Sequence, residues 1–249
     1  MSGNQLEVRF GQASERGRRE TNDDFACVRE QDGSARSVVA AIADGVSGAG
    51  GRFAAETVVR GFLDGFQSEP ATLSVERAAG RVLAAMNSWV HAQGQQDALR
   101  RGMATTFTAA ILRGRRLHSI HIGDTRMYRL RDGALTLLTR DHTRDHPDLR
   151  HVLVRAVGLE ETIRPDYSAS ELIAHDRYLL CCDGVHASLA GKRLQKLLAE
   201  RTAPDEVAQR IVTAALEAGS HDNATALVLD VLAVPAAARL ALEAAIADL

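Results

Sequence analysis

Strand-like and helix-like patterns in this chain come in blocks rather than in strict alternation, and that order restricts the fold more than any other feature. Leu6–Phe10, Phe25–Val28 and Val38–Ala43 read as strands, the last two joined through Gln31-Asp32-Gly33. Two amphipathic helices follow. One carries Ala55, Val58, Val59, Phe62, Leu63 and Phe66 at spacings of three and four; the other runs from Val75 to Val90 behind Ser74 as N-cap. A second strand block covers Thr105–Leu112, Leu117–Ile122, Met127–Leu130 and Leu135–Leu138, the last two turning at Arg131-Asp132-Gly133. Tyr178–Cys182 is a short apolar strand, Leu194–Ala199 and Pro204–Ala218 are helical, and Ala226–Val234 closes the pattern as a strand. Strands in runs, followed by paired helices, favour antiparallel sheets over a doubly wound parallel one. The expected class is therefore α+β, an α/β/β/α sandwich of two antiparallel sheets flanked by helix pairs. Residues 1–234 are expected to form that one domain, and the alanine-rich 235–249 a C-terminal helical tail.

Composition narrows the function classes. A chain of 249 residues, 45% hydrophobic, builds a sizeable core without a structural metal, so a metal here would be functional. Thirty basic against 32 acidic residues, with no basic run, argue against a nucleic-acid partner. Met1 to Gln12 carries Glu7 and Arg9 and lacks an apolar leader core, and no apolar stretch reaches the ~18 residues of a membrane span, so no membrane partner is expected. Cys27, Cys181 and Cys182 are odd in number and outline neither a disulfide framework nor a Cys-x-x-Cys site, which fits a reducing, cytoplasmic location.

Asp-Gly occurs five times. Asp32-Gly33 and Asp132-Gly133 sit between polar flanks as hairpin tips, and Asp64-Gly65 falls inside a helical pattern. Asp44-Gly45 and Asp183-Gly184 instead end the apolar runs Val38–Ala43 and Tyr178–Cys182, placing carboxylates at the ends of buried strands, where sites are built. Asp124 and Asp222 also stand at strand ends, and Asp23 and Asp24 precede a strand. Each alone reads as a turn or cap, and periodicity does not show that they meet. If they do, like charges ~4 Å apart repel by several kcal/mol, and a hard cation with oxygen ligands, Mg²⁺ or Mn²⁺, would relieve the conflict.

The ordered motifs are more specific than any one of them. Arg19-Glu20-Thr21-Asn22-Asp23-Asp24, Ala43-Asp44-Gly45-Val46-Ser47-Gly48, Thr105-Thr106, Ile122-Gly123-Asp124-Thr125-Arg126, Leu138-Thr139-Arg140-Asp141-His142, Leu180-Cys181-Cys182-Asp183-Gly184 and Asp222-Asn223-Ala224-Thr225 follow one another in this chain. From about Gly11 to Val231 the chain resembles the bacterial type 2C (PPM) metal-dependent serine/threonine protein phosphatases. The resemblance implies hydrolysis of phosphoserine and phosphothreonine in proteins by a hydroxide bridging two Mn²⁺ or Mg²⁺ ions, with a position for a third. It implies that Asp44 bridges the two, that the Gly45 carbonyl binds one, and that Asp183 and Asp222 complete the other. Asp24 and Asp23 would act mainly through metal-bound water, Asn223 would support Asp222, and Asp124 with Asp183 would mark the third position. Arg19 would hold the substrate phosphate, its planar fork matching two oxygens. Read without the resemblance, Arg19 is equally a surface arginine beside Arg16 and Arg18. The implied partners are a phosphoprotein and the serine/threonine kinase that makes it.

Three departures from that pattern stand out. Val46 occupies a position where some relatives carry a histidine, which leaves leaving-group protonation to metal-bound water. Ala104 stands where glycine usually precedes the two threonines. The substrate-facing flap, placed between Thr143 and Ile173, is short, with only twelve residues between His142 and Arg155. His142, His146 and His151 are spaced like zinc ligands, but Pro147 interrupts the helix they would need. Two other functions compete: a catalytically idle binding module of the same fold, disfavoured by the presence of Asp44, Asp183 and Asp222, and a two-metal nuclease, disfavoured by the missing basic groove.

Overall fold

The structure is a computed structural model that describes residues 5–31, 36–46, 50–96, 100–146, 149 and 152–236. The Asp32-Gly33 turn, Ser47-Gly48, His151 and residues 237–249 of the expected tail lie outside that set.

Two five-stranded antiparallel sheets face each other. The first contains β1 (Glu7–Glu15), β6 (Arg126–Arg131), β7 (Ala134–Leu137), β9 (Arg177–Cys181) and β10 (Ala224–Ala233), in the order β1-β10-β9-β6-β7. The second contains β2 (Asp24–Gln31), β3 (Ser37–Asp44), β4 (Phe107–Arg113), β5 (Arg116–Ile122) and β8 (Asp166–Glu171), in that order. Helices α1 (Gly51–Ser68) and α2 (Val75–Gln96) cover the second sheet; α3 (Asp183–His186), α4 (Gly191–Leu198) and α5 (Pro204–Glu217) cover the first. The fold is the expected α/β/β/α sandwich.

Alternation along the strands explains the four layers. In β3, Val39, Ala41 and Ala43 face α1 and α2, while Val38, Ala40 and Ile42 face the other sheet. In β10, Ala226 and Val228 face α5, and Leu227, Leu229 and Val231 fill the space between the sheets with Leu180 and Tyr178. Both strands are buried on both faces over most of their length, which is why Val38–Ala43 and Ala226–Leu229 read as uninterrupted apolar runs. The helices present the stripes their spacings predict. Ser74 caps α2 through its hydroxyl to the Arg77 N–H (3.3 Å), and Asp132 (φ 51°) and Gly133 (φ 77°) make the β6–β7 turn with the left-handed pair such hairpins require.

Three boundaries differ from the sequence reading. β1 extends to Glu15, pairing with β10 down to Glu15 opposite Ala224. β4 begins at Phe107, because Thr105 pairs instead with Gly45 on one side and Val157 on the other. Strand β8 has no counterpart in the sequence pattern: Asp-Tyr-Ser-Ala-Ser-Glu lies at a sheet edge with a largely solvated face, so it carries almost no apolar signal.

At the start of β9, Arg177 secures the end of the first sheet remote from Asp183. Its guanidinium grips Asp230 with two hydrogen bonds (2.5 and 2.7 Å) and donates to the carbonyls of Leu198, Glu200 and Thr202. Arg177→Met would leave Asp230 and three carbonyls short of a donor, and we expect it to cost about 3 kcal/mol, since removing one partner strands the other. Urea unfolding checks this; a midpoint unchanged from wild type would contradict it.

Candidate active site

The register of β2 and β3 sets Asp24 directly opposite Asp44. Both continue the alternation of Ala26, Ala40 and Ile42, so they stand on the face turned toward the other sheet, where the apolar filling ends. From the opposite sheet, β9 and β10 pair with Cys181 across from Ala226, which brings the C-terminus of one and the N-terminus of the other to the same end. Asp183 follows the first and opens α3, and Asp222 precedes the second. Asp124 enters from the short connection between β5 and β6.

These elements enclose a cavity of about 630 Å³. Of the residues singled out from sequence, Arg19, Asp23, Asp44, Gly45, Asp124, Asp183, Asp222 and Asn223 line it. Asp24 does not line it: it is 1% exposed and borders a smaller cavity with Ser14, Asn22 and Thr225. Arg16 and Arg18 turn elsewhere, one to the Glu20 carbonyl and the other toward His221, so the arginine at the cavity is Arg19.

Backbone contacts fix the acidic groups. Asp44 donates its N–H to Thr106 Oγ1 (2.9 Å), and its carbonyl accepts from the Thr106 N–H (2.9 Å) and the Thr105 hydroxyl (2.9 Å). At Gly45 a Cβ would lie 2.2 Å from the Gly51 carbonyl oxygen, so only glycine lets α1 start this close to the strand end. Asn223 accepts from the Asp23 N–H (2.8 Å) and donates to the carbonyls of Arg16 and Thr21 (both 2.8 Å), stitching the Arg19 segment to β10. Arg19 donates to Asp222 Oδ2 at 2.7 Å.

The electrostatics are one-sided. Burial, then the charges of Asp24, Asp183, Asp124 and Asp222, holds the Asp44 carboxyl well above the usual carboxylate range. Burial raises Asp24 and Asp124 to about 7 each, and raises Asp183, with the Asp222 charge adding to it. Asp24 Oδ2 accepts from the Thr225 hydroxyl at 2.6 Å, but Asp24 Oδ1 and Asp183 Oδ1 are buried with no hydrogen-bond partner. Buried carboxylate oxygens without donors are what a divalent cation satisfies, and an all-oxygen donor set suits Mg²⁺ or Mn²⁺. Among the described residues no three His, Cys, Asp or Glu side chains close on one point as a preformed cage. The carboxylates stand around a cavity, a layout that leaves coordination positions to water and substrate, as Mg²⁺ favours.

A profile of the protein phosphatase 2C family matches residues 11–221. The chain belongs to that family. The serine/threonine protein phosphatase PstP of Mycobacterium tuberculosis is 32% identical over 244 residues, covering 91% of this chain and 46% of that protein, so the chain spans about half the length of this relative. The serine/threonine phosphatase stp of Listeria monocytogenes is 27% identical over 87% of this chain and 93% of its own. A crystal structure of the PstP catalytic domain in complex with two manganese ions superposes with a TM-score of 0.78 at 32% identity, over 91% of this chain and 99% of that one.

Within this 2C-family site, some contacts had no sequence signal. His186, one turn after Asp183, donates Nε2–H to the Asp124 carbonyl at 2.9 Å and so ties α3 to the β5–β6 connection. Leu153 closes one cavity wall. His142 is occupied at both nitrogens: Nδ1 accepts from the Gly123 N–H (3.1 Å), which leaves Nε2–H to donate to Asp166 (3.0 Å), so it supports the Asp124 connection and cannot join a zinc cluster. Val46 is 39% exposed at the cavity, its N–H bonded to the Ala104 carbonyl at 3.0 Å. Cys181 and Cys182 are buried thiols, raised by burial and unsuited to act as nucleophiles.

The shifts give a pH dependence with a definite sign. A raised carboxyl keeps its proton where the unfolded chain has lost it, so stability falls as pH climbs toward the folded value. His121 and His186, lowered by burial to about 4, act oppositely and withdraw stability as pH drops below the ordinary histidine value of ~6.5. In chelator the raised carboxyls of Asp24, Asp44, Asp124 and Asp183 outweigh the lowered histidines, so Tm should decline as pH climbs from about 5 toward about 7, the value of Asp24 and Asp124. Saturating Mn²⁺ should flatten that decline. A Tm that rises across this range in chelator would be incompatible with the buried acidic cluster.

Proposed function

We propose that the chain is a metal-dependent phosphoprotein phosphatase acting on phosphoserine and phosphothreonine. The observation that carries this reading is the convergence of Asp44, Asp124, Asp183 and Asp222 on one cavity, with partnerless buried oxygens on Asp24 and Asp183 and Arg19 at the rim. The names of the M. tuberculosis and L. monocytogenes relatives and the manganese-bound PstP catalytic domain support it. Two divalent ions held here would activate water for in-line attack on phosphorus and neutralise charge on the phosphoryl oxygens.

The chain's own residues have separable tasks in this reading. Asp44, whose backbone is fixed by Thr105 and Thr106, would hold both ions, with the Gly45 carbonyl, Asp183 and Asp222 completing their surroundings. Asp23 and Asp24 would order ion-bound water from the β2 side, and Asn223 would keep Asp222 in register with the Arg19 segment. Asp124, facing Asp183, would serve a third Mn²⁺ or Mg²⁺ position. Arg19, paired with Asp222, would turn its guanidinium fork to the phosphate. The phosphoprotein substrate implies a serine/threonine kinase that produces it. Three free cysteines support a reducing, cytoplasmic setting, and no described helix is long and apolar enough to cross a membrane.

Mn²⁺-dependent release of phosphate from a phosphothreonine peptide, lost in Asp183→Ala, tests the assignment. We expect Asp44→Ala to lower kcat by at least about a hundredfold, ~2.7 kcal/mol of barrier, and Asp124→Ala to cost less. Steady-state kinetics with Mn²⁺ titration calorimetry measures both. If Asp44→Ala binds two ions tightly and turns over within about tenfold of wild type, the bridging role is wrong.

Arg19→Ala should raise KM for the phosphopeptide with metal content unchanged, and Arg19→Lys should recover only part of the loss, because an ammonium makes no two-pronged contact. Full rescue by lysine would show that only charge matters.

A further inference from the structure

One buried polar side chain takes no part in the acidic motifs. Asn87 sits in the apolar stripe of α2 between Leu83 and Val90 and is 1% exposed. Its amide donates to the carbonyls of Glu160 and Glu161 (both 3.0 Å), and its Oδ1 accepts from the Gly158 N–H at 2.7 Å. One turn further along α2, His91 Nδ1–H donates to the Gly158 carbonyl at 3.1 Å. Gly158 has φ 88°, and a Cβ there would lie 2.3 Å from Val90 Cγ1, so the segment lies against the helix with its backbone in contact.

The same segment reaches the active site. Val157 exchanges both backbone hydrogen bonds with Thr105 (3.0 and 2.8 Å), the residue whose hydroxyl holds the Asp44 carbonyl. Four residues earlier, Leu153 forms part of the cavity wall, and Val154 and Leu159 on the same stretch are 45% and 47% exposed. A chain pinned at 158–161 by α2 and at 157 by Thr105 therefore presents a fixed apolar wall beside the cavity.

We propose that Asn87 is a positioning residue for phosphoprotein recognition: it clamps residues 158–161 to α2 and so sets the wall at 153–159 against which the substrate chain lies. This rests on the phosphatase reading. A small aryl phosphate reaches only the acidic cavity and its arginine, where Thr106 still fixes the Asp44 backbone at both its N–H and its carbonyl when the clamp is lost. A phosphopeptide extends past the cavity and meets the wall. Losing the clamp leaves a donor and two acceptors of the segment unpaired and frees it to leave the helix.

The test compares the full chain with Asn87→Ala and with the milder His91→Ala, all with Mn²⁺, on a phosphothreonine peptide and on p-nitrophenyl phosphate. For Asn87→Ala we expect peptide KM to rise about tenfold while kcat on the aryl phosphate stays within about twofold. Amide exchange at Val157 and Gly158 should quicken, and His91→Ala should move the same readouts less, which keeps the comparison open if Asn87→Ala folds poorly. Faster exchange with an unmoved peptide KM, or equal losses on both substrates, overturns the clamp. A wild-type chain inactive on both substrates overturns the phosphatase reading and the clamp with it.

Discussion

Two aspartates stand directly across from each other on neighbouring strands, and the rest of the molecule is arranged to tolerate that. Like charges in directly opposed positions work against sheet pairing. Asp24 and Asp44 keep theirs because β3 is buried on both faces: a slip of one residue would send Val38, Ala40 and Ile42 toward the helices and Val39, Ala41 and Ala43 toward the other sheet. The core on either side thus imposes a register that the carboxylates alone would reject, and burial first, with neighbouring acidic charges adding to it, keeps their protons above the ordinary carboxylate range.

Antiparallel pairing then assembles the rest. Because β9 leaves and β10 enters at the same edge, Asp183 and Asp222 arrive together from segments 39 residues apart in sequence, facing the β2–β3 pair across the gap between the sheets. The charged mouth is the open end of a layer that is otherwise apolar, filled by Leu180, Leu227 and Ile42. Burial and charge repulsion act on the same groups, and among the described residues lining the cavity the basic side chain is Arg19. Under the proposed function this imbalance would be the protein's contribution to cation binding, a field built into the fold before any ion arrives.

How much of this was legible in sequence depended on burial. Val38–Ala43 and Tyr178–Cys182 announced themselves because strands buried on both faces need apolar residues at every position, and the Asp-Gly pairs ending them marked the site. Asp166–Glu171 was invisible because an edge strand with a wet face resembles a loop. The four-residue α3 is too short to show a period, which hid the role of His186. Asn87 gives no signal of its own because Leu83, Met86 and Val90 define the α2 stripe so strongly that one amide inside it looks incidental. Thr105 was visible as part of a motif, but its pairing with both Gly45 and Val157 is a long-range fact that no local pattern encodes.

Asn87 and Asn223 share a habit with a consequence for how such a chain can diversify. Each grips backbone atoms of a loop: Asn223 at Arg16, Thr21 and Asp23, Asn87 at Gly158, Glu160 and Glu161. Main-chain groups are the same whatever side chain is attached, so apart from Gly158 the gripped residues can be exchanged without loosening the grip. Placement of these loops is inherited from the scaffold, and in the loop held by Asn87 the side chains displayed are free to drift. Lineages descending from one such chain could therefore acquire different target preferences by rewriting the side chains of a held loop, with the reactive centre left untouched.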